Sequence, residues 1–104
     1  MAAFQAANSV EVPIASPITV YLMGEVASAG VLTFRANQRP TLLTAIAQAG
    51  GLTKRASSKI SVKRQREDGS RYEIVVRYGQ LLSGAREDLP LNDGDLIFVK
   101  ESFL

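Results

Sequence analysis

A single short helix, expected over residues 41–49, limits what this chain can fold into more than any other feature of its sequence. Thr41 is a favoured N-cap residue, and Gly50 stands where a left-handed C-terminal cap is needed. An apolar stripe at helical spacing lies between them, formed by Leu42, Leu43, Ile46, Ala47 and Ala49. A helix of about two turns is not stable alone in water, so we expect its stripe to pack on a sheet.

Two short strands are predicted before the helix. Residues 18–23 alternate between an aliphatic face and a face of Thr, Tyr and Met, and Gly24 ends the strand. Gly30 begins the second strand, residues 31–34, so the pair is expected to form a hairpin.

Side chains predict the register of a second hairpin after the helix. A three-residue loop at residues 67–69 places Val62 opposite Ile74 and keeps the apolar residues of both strands on one face. A two-residue turn would put them on opposite faces. We therefore predict the longer loop, with its glycine in the left-handed region and with Lys63 opposite Glu73 on the outer face.

The remaining segments complete an α+β pattern. Residues 52–58 are expected to form a polar loop, and residues 78–82 a short helical turn or an irregular crossing. Residues 96–99 are expected to form a last strand that is apolar on both faces and therefore central. This order predicts a β-grasp: a mixed sheet of about five strands, one main helix packed across one face, and parallel first and last strands at the centre.

Composition excludes most kinds of site chemistry. The 104 residues, 46% of them apolar, correspond to one domain, expected over residues 18–104 after an N-terminal tail or linker at residues 1–17. Without cysteine or histidine the chain lacks disulfides, the usual zinc ligands and the usual nucleophile and base of covalent catalysis. We predict no catalytic residue, no metal and no cofactor. No apolar run has the length of a membrane span, so no direct membrane insertion is expected.

Glycines and turn aspartates are interpreted as structural. A phosphate-binding glycine loop leads into a helix, whereas the Gly50-Gly51 pair follows one. Asp93 and Asp95 lack the spacing of a calcium loop, which favours roles in a turn and at the start of a strand. The residues interpreted as a structural motif are Gly24, Gly30, Gly50, Gly51, Gly69, Gly94 and Asp95.

Basic residues are concentrated in the middle of the chain. Between Arg35 and Arg71 there are nine basic and two acidic residues, whereas the whole chain has a net charge of only +2. Two interpretations stay open: an ordinary solvated face, and a basic patch that binds an anionic partner. The candidate ligand-binding residues are Arg35, Arg39, Lys54, Arg55, Lys59, Lys63, Arg64 and Arg66.

An ordered set of short motifs spans residues 18–104. In chain order they are VYLMGEV at residues 20–26, AGV at 29–31, AGGLT at 49–53, Arg64, Asp68-Gly69, Leu81-Leu82 with Gly84, and LNDGDLIFV at 91–99. The set resembles the SLBB (soluble ligand-binding β-grasp) domain of the bacterial outer-membrane polysaccharide export family. One departure affects a loop, since Ser28-Ala29-Gly30 stands where the family often has a proline before glycine.

This resemblance implies a non-enzymatic module of a capsular or exopolysaccharide export complex. In that family the domain lies in the periplasm of the Gram-negative cell envelope, follows an export domain and packs side by side into a ring. The expected partners are further copies of the chain, other polysaccharide export or synthesis proteins, and an acidic polysaccharide. No preceding export domain is recognisable in the sequence, which leaves an excised domain and a reduced relative as alternatives. Residues 100–104 resemble the end of short members that lack a membrane-crossing helix.

A second function is nucleic-acid binding, because the SLBB domain also occurs in competence-type DNA-uptake proteins. The basic middle segment suits phosphates. However, the aromatic residues are few and are not interleaved with the basic ones, as stacking on single strands requires, so nucleic acid is the disfavoured partner.

Overall fold

The structure is a computed structural model that describes residues 16–35 and 37–102. Its central feature is a mixed sheet of five strands. The elements in chain order are β1 (Ile18–Gly24), β2 (Gly30–Phe34), α1 (Leu42–Gln48), β3 (Ala56–Gln65), β4 (Arg71–Arg77), α2 (Tyr78–Ser83) and β5 (Leu96–Glu101). The strand order is β2-β1-β5-β3-β4, with β1 parallel to β5 and the other neighbours antiparallel. The predicted α+β, β-grasp fold is confirmed. Residues 1–15 of the expected tail lie outside the described residues.

The central position of β5 follows from its two apolar faces. Ile97 pairs with Leu22 of β1 on one side and with Val62 of β3 on the other, and all three side chains are buried. The turn before β5 is fastened to β1, since the Thr19 N–H donates to Asp93 Oδ1 at 2.8 Å. Apolar side chains on both faces suit a strand with a neighbour on each edge, which is the position of β5 between β1 and β3.

The core lies on one face of the sheet, beneath both helices. Alternation along each strand directs one set of side chains to this face, and the buried residues of α1 join them. Leu81 of α2 belongs to the same cluster. The largest buried apolar side chains are Val20, Leu22, Leu42, Ile46, Ile60, Val62, Val76, Ile97 and Val99.

The first turn of α1 has all of its N–H groups satisfied. Thr41 is the N-cap, as predicted: its Oγ1 accepts from the Thr44 N–H at 3.3 Å, and Thr44 Oγ1 accepts from the Thr41 N–H at 2.8 Å. The two N–H groups between them donate to the Leu89 carbonyl oxygen at 2.8 Å and to Asp88 Oδ1 at 3.2 Å. The loop before β5 therefore completes the start of the helix.

The end of α1 is closed by two glycines in a Schellman arrangement. The Gly51 N–H donates to Ile46 O at 2.9 Å and the Gly50 N–H to Ala47 O at 3.0 Å. Gly50 has φ of +88°, and a Cβ added there would lie 2.8 Å from the Cβ of Ala27. Both the backbone conformation and the space therefore require glycine at this position.

The polar loop expected over residues 52–58 is wrong in its second half. β3 begins at Ala56, which pairs with Glu101 of β5, and the register shifts between Ala56 and Ile60. Leu52 forms an isolated bridge with Val26, next to the end of β1. These residues have no alternating pattern, and their extended conformation comes from pairing with segments that are distant in sequence.

The second hairpin has the predicted register. Val62 pairs with Ile74, and Gly69 has φ of +91° in the three-residue loop. Within this loop, hydrogen bonds from the Ser70 hydroxyl and N–H to the Asp68 carboxylate lower the pKa of Asp68. The side-chain pattern alone was sufficient here because a shift of one residue would have moved the apolar set to solvent.

A buried ion pair joins β3 to the start of β5. Arg64 Nε and Nη2 donate to the two carboxylate oxygens of Asp95 at 3.1 and 2.8 Å, and Asp95 is only 1% exposed. Asp95 also accepts from the Asn92 N–H, and Arg64 Nη2 donates to Pro90 O, both at 2.8 Å. The hydrogen bonds with Asp95 raise the pKa of Arg64 although burial opposes this, so the guanidinium stays charged.

Replacing Gly50 by alanine is expected to lower the free energy of unfolding by about 1–3 kcal/mol, because the left-handed conformation is strained and the new methyl group meets Ala27. Urea denaturation of the purified protein measures this. Gly79→Ala is the matched control, since Gly79 has no positive φ and open space at its Cβ position, and it should be neutral or slightly stabilising. Equal effects of the two changes would contradict the assigned cap.

Removing the cation of the buried ion pair is expected to lower the free energy of unfolding much more than removing an exposed cation. Arg64→Met leaves the Asp95 carboxylate buried without its cation and should cost about 3–5 kcal/mol, whereas Arg71→Met, at an exposed position on β4, should stay within about 0.5 kcal/mol. A thermodynamic cycle with Asp95→Asn measures the coupling. Additive single and double variants would show that the two side chains do not interact.

Candidate functional site

The sheet face opposite α1, which we call the open face, carries neither of the two described helices. Both helices contribute their buried residues to the core on the other side. Every second side chain along each strand points away from the core, to the open face. Four large apolar residues of this set are between 43% and 60% exposed. These are Tyr21, Met23, Val31 and Val75. An exposed apolar surface of this kind is typical of an interaction site.

Strand register arranges the open face in rows. The residues of one row cross all five strands and are Val31, Tyr21, Leu96, Lys63 and Glu73. The residues of the next row cross four strands and are Met23, Phe98, Ser61 and Val75. The open face is therefore apolar on β1 and β2, and its charged residues lie on β3, β4 and the end of β5. We call these two parts the apolar half and the basic half.

The basic half collects cations from three strands. Five exposed basic residues point to it, namely Lys59, Lys63, Arg71, Arg77 and Lys100. Among the strand residues described on this half, Glu73 is the only acidic one, and it accepts a hydrogen bond from the Ser61 hydroxyl. Closely placed like charges on one surface attract anions and repel a second surface of the same sign.

A shallow depression of about 290 Å³ lies in the basic half, where β3, β4 and β5 run side by side. Phe98 and Val75 supply its apolar lining, and Lys59 and Lys100 supply its cations. Ser57, Ser61 and Glu73 complete the lining with two hydroxyls and a carboxylate. The depression therefore combines an aromatic ring with charged and hydroxyl groups, as binding sites for small polar ligands do.

The eight basic residues predicted as ligand-binding do not form one patch. Only Lys59 and Lys63 lie on the open face. Arg35 and Arg39 lie between β2 and α1, where Arg39 lines a separate cleft of about 570 Å³ beside the N-terminus of α1. Lys54 is an exposed residue of the turn before β3.

The other three predicted residues contact groups of the protein itself. Arg55 donates to Glu101 from its Nε at 2.8 Å, and this hydrogen bond raises the pKa of Arg55. The Arg66 guanidinium lies 4.4 Å from the centre of the Tyr72 ring. Arg64, whose side chain is 13% exposed, is held in the buried ion pair, so its donors serve the core and not a ligand.

Sequence reasoning missed several residues of the open face. Lys100 shares the outward parity of Phe98 on β5, and Arg77 shares that of Val75 on β4. The alternation of side chains along each strand, combined with the strand register, identifies them. The clustering of basic residues in the sequence indicates only residues 35–71. Charge that is contiguous in sequence alternates between faces in a strand, so only part of it reaches any one surface.

Within residues 16–35 and 37–102, no group of three or more acidic residues is placed to hold a metal ion. Neither described helix is long and apolar enough to cross a bilayer.

Comparison with known proteins agrees with the fold. A search of curated proteins found no match. A family model described as SLBB domain matches residues 19–99, from β1 to β5, and so includes both hairpins, α1 and the whole depression except Lys100. SLBB is a family of binding domains. With more than half of its length matched by the family model, the chain belongs to the SLBB domain family.

Proposed function

We propose that this chain is a non-enzymatic SLBB module of a complex that exports capsular polysaccharide or exopolysaccharide. We place it in the periplasm of a Gram-negative cell envelope. The observation that carries the proposal is the open face, which carries neither described helix and has an apolar and a basic half. One half suits protein partners and the other suits a polyanion.

The apolar half supports association with further copies of the chain and with other export or synthesis proteins. Tyr21, Met23 and Val31 lie on two adjacent strands with 43%, 50% and 60% of their surfaces exposed. Covering these side chains removes apolar area from water, which contributes about 25 cal/mol per Å². Weak contacts of this kind reinforce one another when they are repeated around a ring of subunits.

A second candidate function is binding of DNA in an uptake system. The observation that favours it is the excess of cations on the basic half, where five basic residues face a single carboxylate. Phosphate contacts of exposed lysines and arginines bind nucleic acid without sequence preference and weaken steeply with salt.

Removing the coding segment for residues 18–102 in the source bacterium is expected to reduce its surface polysaccharide, because the export complex would lack one of its binding modules. Polysaccharide is quantified on washed cells, and reintroduction of the intact gene is the control. Unchanged polysaccharide together with impaired transformation by added DNA would contradict the export function and support DNA uptake.

Two charges placed on the apolar half are expected to reduce export while leaving the domain folded. Met23→Lys with Val31→Lys puts cations where a partner would cover apolar side chains, and desolvating them there is costly. Surface polysaccharide and the Tm of the purified variant are measured together.

The matched control is Ala47→Lys with Gln48→Lys, which adds the same charge to exposed positions of α1. Equal loss of export in both double variants would show that added charge alone, and not the apolar half, causes the defect.

A further inference from the structure

We propose that the depression on the basic half binds one acidic sugar unit of a polysaccharide. This inference rests on the proposed export function and specifies the ligand class. A site of about 290 Å³ holds roughly ten water molecules at about 30 Å³ each, which leaves room for one pyranose ring with its substituents.

The apolar lining supplies a platform for a sugar ring. Phe98 lies on the central strand β5 and is half-buried, with Val75 of β4 two strands away in the same row. An aromatic side chain held in a central strand has little freedom to lose on binding. The apolar C–H face of a pyranose packs against such a surface, while its hydroxyl groups point to the rim.

Cations at the rim select an acidic sugar. Lys59 and Lys100 line the depression, and neither forms an ion pair within the described part of the chain. Their ammonium groups are therefore free to contact a ligand carboxylate. The attraction is strengthened where the ligand excludes water from the apolar lining.

Glu73 distinguishes a sugar from a nucleic acid. Its carboxylate accepts from the Ser61 hydroxyl and lies in the lining, where it also accepts from donor hydroxyls of a ligand. A pyranose has several such hydroxyls. A phosphodiester group has no hydrogen to donate to this carboxylate, so the lining favours an acidic glycan.

Charge also excludes the basic half of a second copy as the occupant of this half. Two basic halves placed face to face would bring together ten cations and only two carboxylates, five cations and one carboxylate from each copy. Like charges opposed across an interface are costly, and this cost is avoided with a polyanionic ligand.

The test is a titration of the ¹⁵N-labelled full chain with oligogalacturonate of four units, followed by NMR. We expect saturable shift changes centred on Ser61, Glu73 and Phe98, weaker binding of neutral maltotetraose, and weaker binding of single-stranded oligothymidylate. Lys59→Glu with Lys100→Glu should raise the Kd at least about tenfold through loss and reversal of two charge contacts.

Two further variants separate this site from general electrostatic attraction. Arg39→Glu with Lys54→Glu changes the net charge by the same amount at positions outside the depression and should change the Kd less than about twofold. Phe98→Leu keeps an apolar residue on β5 but removes the ring, and should raise the Kd several-fold.

Three outcomes would overturn the inference. These are shift changes that lie outside the depression, equal weakening by the two charge-reversal pairs, and oligothymidylate binding that matches or exceeds oligogalacturonate binding. Failure of the site is distinguishable from failure of the export function, because loss of surface polysaccharide on deletion of residues 18–102 would then still be observed.

Discussion

The ion pair between Arg64 and Asp95 constrains the rest of the structure, because a carboxylate that is 1% exposed is tolerated only beside its cation. The pair joins β3 to the start of β5, and the same guanidinium donates to Pro90 O. Pro90 is bridged to Thr41, the N-cap of α1. One buried contact thus relates the sheet, the last loop and the helix to one another.

Both ends of α1 are completed by segments that are distant in sequence. Asp88 and Leu89 accept hydrogen bonds from its first turn, and the connection between β1 and β2 meets its glycine exit, where the Ala27 N–H donates to Gly51 O at 2.9 Å. A seven-residue helix held in this way covers one face of the sheet. The uncovered open face follows from the small number of helices and provides the surface on which the proposed function depends.

The fold was largely predictable because most of its elements have a local cause. The N-cap at Thr41, the register around Val62 and the central position of β5 follow from side-chain type and periodicity. The start of β3 at Ala56 did not, since its extended conformation comes from pairing with Glu101. The candidate site was less predictable: only Lys59 and Lys63 of the eight proposed basic residues lie on the open face.

The sequence by itself determined the periodicities, the caps and the turns, because these depend on residues close together along the chain. The tertiary structure alone decided what each basic residue does. It placed Arg64 in the core beside Asp95, and it brought Lys100 next to Lys59 around Phe98. The physical reason is that the surroundings of a side chain depend on strand order and register, which join residues far apart in the sequence.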